Sequence, residues 1–191
     1  DVYKRQLQMV VDQADRCKKI VSGLLHFARQ NKVVLQRTDM SKLLDRVVKT
    51  THLPATIIIR TERQVEDASV EIDPDQIFQV FSNLINNAQS AMPNGGQVTL
   101  RVSGDDAMLE VRVIDTGVGI PRENLSKLFE PFFTTKQVGS GTGLGLAVSY
   151  GIIKMHRGDI RVESNADKNA GPTGTTFIIR LPRRGQNRSS A

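Results

Sequence analysis

The sequence predicts an α/β fold in which helices and strands are interleaved along one chain. Three observations carry that expectation. Segments that are rich in β-branched residues or alternate apolar with polar positions recur at 56–61, 69–72, 97–102, 108–114, 160–163 and 175–181. Segments of helical period lie among them at 40–51, 73–92 and 144–155. Between them, DTGVGIPRENLSKLFEPFFTTKQVGSGTGLGL at 115–146 combines two glycine clusters, a carboxylate, an aromatic block and a lysine. Packing alone does not call for that mixture, and repeated Gly-x-Gly marks backbone at positive φ or in close approach to a ligand.

At 191 residues the chain suffices for one well-buried domain and an accessory element. Its hydrophobic fraction of 39% and charged fraction of 24% are those of a globular protein. No run of about 18 apolar residues is present, so no membrane span is predicted. The net charge of +6 is modest, and Arg180, Arg183, Arg184 and Arg188 supply part of it near a polar tail, which reads as solvated surface and not as a nucleic-acid site. A single cysteine, Cys17, excludes an intramolecular disulfide and fits a reducing compartment. The chain opens on Asp1 and DVYKRQ reads as an arbitrary start, so a fragment of a longer protein is expected.

In chain order, Leu7, Val10, Ala14, Cys17, Val21, Leu24 and Ala28 alternate three- and four-residue steps, an a/d heptad seam that Ile20, Leu25 and Phe27 widen. Such a helix needs a partner, from a second copy or from sequence upstream; the alternative is an amphipathic helix lying on its own domain. Asn31 to Asp39 reads as a polar linker. Helical spacing returns over Met40 to Thr51 through Leu43, Leu44, Val47 and Val48, and Pro54 breaks it. Strands are expected at TIIIRT (56–61) and at Ser69 to Ile72. Asp73-Pro74-Asp75-Gln76 reads as a helix start, with Asp73 as N-cap, Pro74 in the first helical position and Gln76 completing a capping box. That helix should reach Met92, bury Ile77, Phe81, Leu84, Ile85, Ala88 and Met92, and carry Gln79, Asn83 and Asn87 on another face. Val98, Leu100 and Val102, then Leu109, Val111 and Val113, predict a hairpin whose second strand runs straight into Asp115, a rigid place for a recognition group. A helix over Leu144 to Met155 should be closed by His156-Arg157-Gly158 and followed by the last two strands.

Asn87 offers a neutral carbonyl oxygen of the kind Mg²⁺ accepts beside phosphate oxygens and waters; an exposed or capping amide is the competing reading. Asp115, ionised, can accept from an exocyclic amino group such as that of adenine, or can simply form an Asx turn before Thr116-Gly117. Gly139, Gly141, Gly143 and Gly145 precede a helix whose free N–H groups and dipole favour phosphate, against the alternative of a flexible loop. Their spacing is neither a Walker loop nor a dinucleotide fingerprint.

Taken in order, NLINNAQSA (83–91), DTGVGI (115–120), FEPFFTTK (129–136) and GTGLGL (141–146) resemble the N, G1, F and G2 boxes of the sensor histidine kinase ATP-binding domain. That domain shares a superfamily with the DNA gyrase B subunit, mismatch-repair ATPases and heat-shock chaperones. The resemblance covers about residues 36–183, and IVSGLLHFARQ (20–30) looks like the second helix of the dimerisation and phosphotransfer hairpin that precedes it in the family. It implies a Bergerat-type two-layer α/β sandwich, a mixed sheet with helices on one face. The organisation implied is a partial hairpin helix at 1–35, a catalytic domain at 36–183 and a polar basic tail at 184–191.

By the same resemblance the cofactors would be ATP and Mg²⁺. Asn87 would chelate the metal with help from Asn83, Asp115 would bind the adenine amino group, and Gly117 and Gly119 would let the base approach. Ile120, Phe133 and Thr135 would join the binding site, and Thr175 would support the adenine contact through water. Lys136 with the loop running through Gly141, Thr142, Gly143, Leu144, Gly145 and Leu146 would cover the phosphates as a lid, with 137–142 displaced or poorly ordered without nucleotide. The expected partners are a response regulator and a second copy through the N-terminal helix, with no nucleic acid and no membrane contact by this segment. The expected location is the cytoplasm, any inner-membrane anchor lying upstream.

In the hydrolysing branches a glutamate one turn before Asn87 acts as general base. Here the residue is Asn83, which cannot accept the proton, so phosphoryl transfer to a protein side chain fits better than hydrolysis. The family's acceptor segment, His-Glu-Leu-Arg-Thr-Pro-like, is absent from the sequence, and none of His26, His52 and His156 resembles it. The reading is therefore a protein-histidine kinase whose acceptor lies outside this chain. The alternatives are a stand-alone Bergerat-fold protein, either an anti-sigma-type serine kinase or an ATPase, and a nucleotide-gated interaction module without catalysis.

Overall fold

The computed structural model describes residues 33–136 and 141–184, together with Tyr3, Gln6, Leu7 and Val11, which are helical and exposed. The expected heptad seam apart from Leu7, residues 137–140 at the expected lid and the basic tail after Arg184 lie outside the described residues. The described elements are β1 (Gln36–Asp39), α1 (Met40–Thr50), β2 (Ile57–Arg63), β3 (Ser69–Ile72), α2 (Pro74–Ala91), β4 (Gly96–Gly104), β5 (Met108–Asp115), α3 (Arg122–Leu125), α4 (Gly145–Met155), β6 (Asp159–Asn165) and β7 (Gly174–Pro182).

Local chemistry starts the helices where the sequence places them. Asp39 caps α1 by accepting from the Ser41 and Lys42 N–H groups. At α2, Asp73 Oδ1 accepts from Asp75 N at 3.2 Å and Gln76 N at 3.1 Å, and Pro74 sits in the first turn. The reciprocal arm of the expected capping box is missing. Asp73 N donates to His156 Nε2 at 2.9 Å, and Gln76 Oε1 is buried without a hydrogen-bond partner. A long-range acceptor has displaced the local one.

Five strands form a mixed sheet in the order β2-β4-β5-β7-β6, with β2 and β4 parallel and the other neighbours antiparallel. The parallel pair needs a crossover, which α2 supplies. The alternating residues Val98, Leu100, Val102, Leu109, Val111, Val113, Phe177, Ile179 and Leu181 all point to one face and join the buried residues of α1, α2 and α4 in a single core. Every residue expected on the buried face of α2 is 3% exposed or less. The opposite face carries ion pairs, Glu62 with Arg101 and Glu110 with both Arg112 and Arg180. Burial pushes the Glu110 carboxyl up, and its two arginine bonds outweigh that and hold it below the ordinary value.

Two elements were not legible. Gln36–Asp39, read as linker, pairs antiparallel with Ser69–Ile72, although QRTD has no strand signal of its own. Its partner and its position beside α1 impose the conformation. The single turn of α3 after Pro121 was also not foreseen. The small β1–β3 sheet is stapled to the main one by Arg183. Its backbone accepts from Glu71 N and donates to Ala107 O, both at 2.9 Å. Its side chain donates to the carbonyls of Asp67 at 2.8 Å and Ser69 at 3.0 Å, and also to that of Asp105. Arg183→Ala should leave those carbonyls to water and lower stability by about 1–2 kcal/mol in urea unfolding.

Candidate nucleotide-binding site

The site is assembled from α2, the end of β5 with the loop after it, the 129–136 block and the loop leading into α4. Asp115 closes β5, in register with Val98 on one side and Thr175 on the other, and is 6% exposed. Its Oδ1 accepts from Gly117 N at 2.9 Å and Thr175 N at 3.2 Å. No hydrogen bond reaches Oδ2 among the described residues. Burial raises the carboxyl above its usual value, and the two N–H bonds oppose that without overcoming it. The two readings of Asp115 are thus compatible: one oxygen builds the turn, and the other keeps its acceptor capacity.

The glycines after Asp115 have a reason the sequence did not reveal. A Cβ on Gly117 would lie 2.7 Å from Ala91 O, and one on Gly119 would lie 2.0 Å from Asn165 O. On the Cβ side of each glycine the space is already taken by backbone of another segment. The loop is pinned by Val118 N donating to Ala91 O at 3.0 Å and by Ile120 N donating to Ser164 Oγ at 2.8 Å. Ser164 Oγ also lies 3.0 Å from Thr175 Oγ1, so Thr175 belongs to the network that fixes Asp115.

Asn83 and Asn87 lie one turn apart on α2 with distinct surroundings. Asn83 Nδ2 donates to Ser149 Oγ of α4 at 3.0 Å, and a Cβ on Gly145 would be 2.3 Å from Asn83 Oδ1. It is wedged between the helices. Asn87 Oδ1 instead faces the Lys136 ammonium at 3.4 Å, and the same ammonium donates to Ser90 Oγ at 3.0 Å. Partial burial beside α2 lowers the Lys136 pKa from the usual lysine value.

The aromatic block and the glycine loop meet directly. Phe132, at φ +67°, donates its N–H to Gly143 O at 2.9 Å. Gly143 is itself at φ +67°, and a Cβ there would lie 2.4 Å from the Phe132 carbonyl carbon. Gly141 lies against Thr134 and Lys136. Thr142 Oγ1 accepts from Leu144 N at 3.4 Å. Leu144 is buried, while Ile120 and Leu146 pack partly buried against the core. Phe133 is half-buried and Thr135 is exposed. Among the described residues no side chain caps α4, so its first N–H groups are presented to whatever lies before the helix. Gly139 lies outside the described residues.

Ser90, Ser149 and Ser164 were missed because a serine carries no signal until a partner 10 to 66 residues away is in place. The donor set fits a nucleotide with a divalent cation. Asn87 already turns its oxygen to a cation, Asp115 offers an acceptor, and α4 offers N–H groups that no side chain among the described residues caps. Among the described residues no three His, Cys, Asp or Glu side chains converge. An ion here would take its oxygens from Asn87, the nucleotide and water.

Comparison with known proteins agrees with this arrangement. Residues 72–185 match the family described as histidine kinase-, DNA gyrase B- and HSP90-like ATPase. Sensor kinase CckA of Brucella abortus is 39% identical over 91% of this chain and 20% of its own length. Sporulation kinase A of Bacillus subtilis is 37% identical over 92% and 28%, and sensor histidine kinase ZraS of Escherichia coli K12 is 34% identical over 92% and 37%. The chain therefore spans between a fifth and two fifths of the length of these relatives. Among solved structures, the mycobacterial sensor histidine kinase MprB superposes with a TM-score of 0.69 at 30% identity, covering 80% of this chain and all of that one. Histidine kinase ThkA, solved with the response regulator protein TrrA, gives 0.75 at 26% identity over 98% of this chain and 53% of that one. With Asp115, the Asn83–Asn87 face of α2 and the glycine-led α4 all inside the matched span, the chain belongs to the histidine kinase-, DNA gyrase B- and HSP90-like ATPase family.

Proposed function

We propose that this chain is the ATP-binding catalytic part of a two-component sensor histidine kinase, transferring the γ-phosphoryl group to a histidine outside residues 1–191 for relay to a response regulator. The observation that carries the choice within the family is Asn83. One turn before Asn87 stands an amide tied to Ser149, a group that can position but cannot take a proton from water. The sensor-kinase relatives and the ThkA–TrrA neighbour support the same choice and the partner class. β1 starting at Gln36 and β7 ending at Pro182 support 36–183 as the catalytic unit.

Mg-ATP supplies the phosphoryl group when bound. Asp115 Oδ2 accepts from the adenine amino group while Oδ1 stays fixed by Gly117 and Thr175. Asn87 Oδ1 is the protein's oxygen for Mg²⁺, and Asn83 acts on it indirectly by holding α2 against α4. Lys136 and the N–H groups at the start of α4 face the phosphates and neutralise charge, so the protein's work is positioning and electrostatics. Lys136 and Gly141–Leu144 together form the base of the lid.

Asn87→Ala should weaken Mg-ATP binding at least about tenfold while changing metal-free nucleotide binding little, since it removes a metal contact and not a base contact. Isothermal titration with and without Mg²⁺ reads the difference. For the transfer itself, the chain extended upstream to include an acceptor helix should yield acid-labile phosphohistidine from Mg-ATP. Acid-stable phosphoserine on a partner would point to the anti-sigma type of kinase, and no covalent phosphate at all would overturn the assignment.

A further inference from the structure

The ATP site has two halves on two antiparallel helices: α2 carries Asn83 and Asn87, and α4 begins at the glycine loop. Asn83 and Ser149 tie them near the site. At the far end stands His156, the C-cap residue of α4, 5% exposed. Its Nδ1 is 2.8 Å from Ile152 O, and a carbonyl can only accept, so Nδ1 carries the proton. Its Nε2 accepts from Asp73 N, across 83 residues of sequence. Both ring nitrogens are used, in the neutral Nδ1–H tautomer. The ring stands where the Gln76 side chain would have closed a local capping box, so the Asp73 N–H is bonded to α4 and not to its own helix, while the Asp73 side chain still caps α2.

We infer that His156 is a positioning residue for the nucleotide site, locking α2 and α4 in the register that brings Asn87 and the glycine loop together, and that it does so only while neutral. The inference rests on the nucleotide-site reading above. Protonation would set a second N–H against the Asp73 N–H and remove the acceptor. The bond at the far end of the pair would be lost and the competent register would be less populated, which lowers apparent affinity in proportion.

The Asp73 carboxylate on the α2 cap favours the protonated ring, but it is engaged by the Val34, Asp75 and Gln76 N–H groups. Lys154 of α4 and Asp159 of β6 are paired with each other at 2.7 Å, and Arg161 of β6 also bonds Asp159. Burial dominates and lowers the His156 pKa below 6.5, with the Ile152 and Asp73 contributions opposing it. The sign follows. The folded chain holds fewer protons than the unfolded one, so the contribution is complete above 6.5 and is lost as pH falls from there through the lowered folded value.

Two variants separate the acceptor from the bulk. His156→Phe keeps the ring volume without the acceptor, and His156→Gln returns an acceptor at the Nε2 position that does not titrate. ATP binding and amide hydrogen exchange are followed from pH 5 to 7.5. In wild type, affinity should fall, and amide protection at Asp73 and the first turn of α4, corrected for the intrinsic exchange rate at each pH, should drop as pH falls below about 6.5. His156→Phe should show about a tenfold weaker affinity and raised exchange already at pH 7.5, the scale of one lost buried bond. His156→Gln should restore affinity to within about threefold of wild type and flatten its pH profile. A folded His156→Phe with wild-type affinity and exchange, or a His156→Gln that keeps the wild-type pH profile, overturns the inference. If His156→Phe does not fold, the pH profile of His156→Gln decides. If wild type binds no ATP at pH 7.5, the nucleotide reading fails by itself, and exchange at α4 still answers whether His156 sets the register.

Discussion

Asp115→Asn should abolish ATP recognition while leaving the fold as stable as before or more so. The substitution keeps Oδ1, which can still accept from Gly117 N and Thr175 N, so the turn and the end of β5 persist. It replaces Oδ2 with an NH₂ group that donates where the adenine amino group also donates. A bond is lost and two donors face each other, for which a loss of at least about a hundredfold in affinity is expected. Stability should move the other way. Burial raises the Asp115 carboxyl above 3.8, so the folded chain holds that proton more tightly than the unfolded one. Its contribution grows less favourable as pH rises from 3.8 through the raised folded value. An amide carries no such term. Urea midpoints at pH 7 should be equal or higher for the variant, with the gap closing in acid. A folded variant that bound ATP like wild type would remove Asp115 from the site.

Gly119→Ala should be among the most destabilising single changes available outside the core. At φ +74° a side chain is strained, and the added Cβ would sit 2.0 Å from Asn165 O, 2.5 Å from Asn165 C and 2.8 Å from Ala166 N. All three are backbone atoms and cannot swing aside. Relieving the overlap means moving the 116–120 loop off β6, breaking the Ile120–Ser164 bond and loosening Asp115. A loss of about 3 kcal/mol or more is expected. Gly171 is the natural control, at φ +133° with nothing within 4 Å of the added carbon. Gly171→Ala should show backbone strain alone, about 1 kcal/mol. Thermal unfolding of both measures the difference, and equal losses would mean that strain and not collision governs Gly119.

Much of the fold was readable because the signals were local and periodic. Alternation along β4 and β5 marked the residues that became the buried face of the sheet, and the Asp73-Pro74 start placed α2 to within a residue of its observed first turn. The position of Asp115 at a strand end was visible in the same way, since a hairpin strand that runs into a carboxylate needs no tertiary information. β1 was not readable, because QRTD is polar and becomes a strand only when β3 is beside it. The capping box was half wrong for a related reason: Gln76 was the nearest candidate in sequence, and His156 was the nearest in space.

The sequence by itself determined helix and strand for the described elements other than β1 and α3, the buried face of α2, and the four ordered boxes that mark the site. These depend on composition and spacing over a few residues, which the chain carries wherever it goes. The tertiary structure alone decided what each box residue touches. It divided Asp115 between a turn and an open acceptor, and turned Asn83 toward Ser149 while leaving Asn87 facing Lys136. It also gave Gly117 and Gly119 to close packing, and joined α2 to α4 through His156. Each of those outcomes depends on an atom from a distant part of the chain arriving within about 3 Å, the range of a hydrogen bond, which no local pattern encodes.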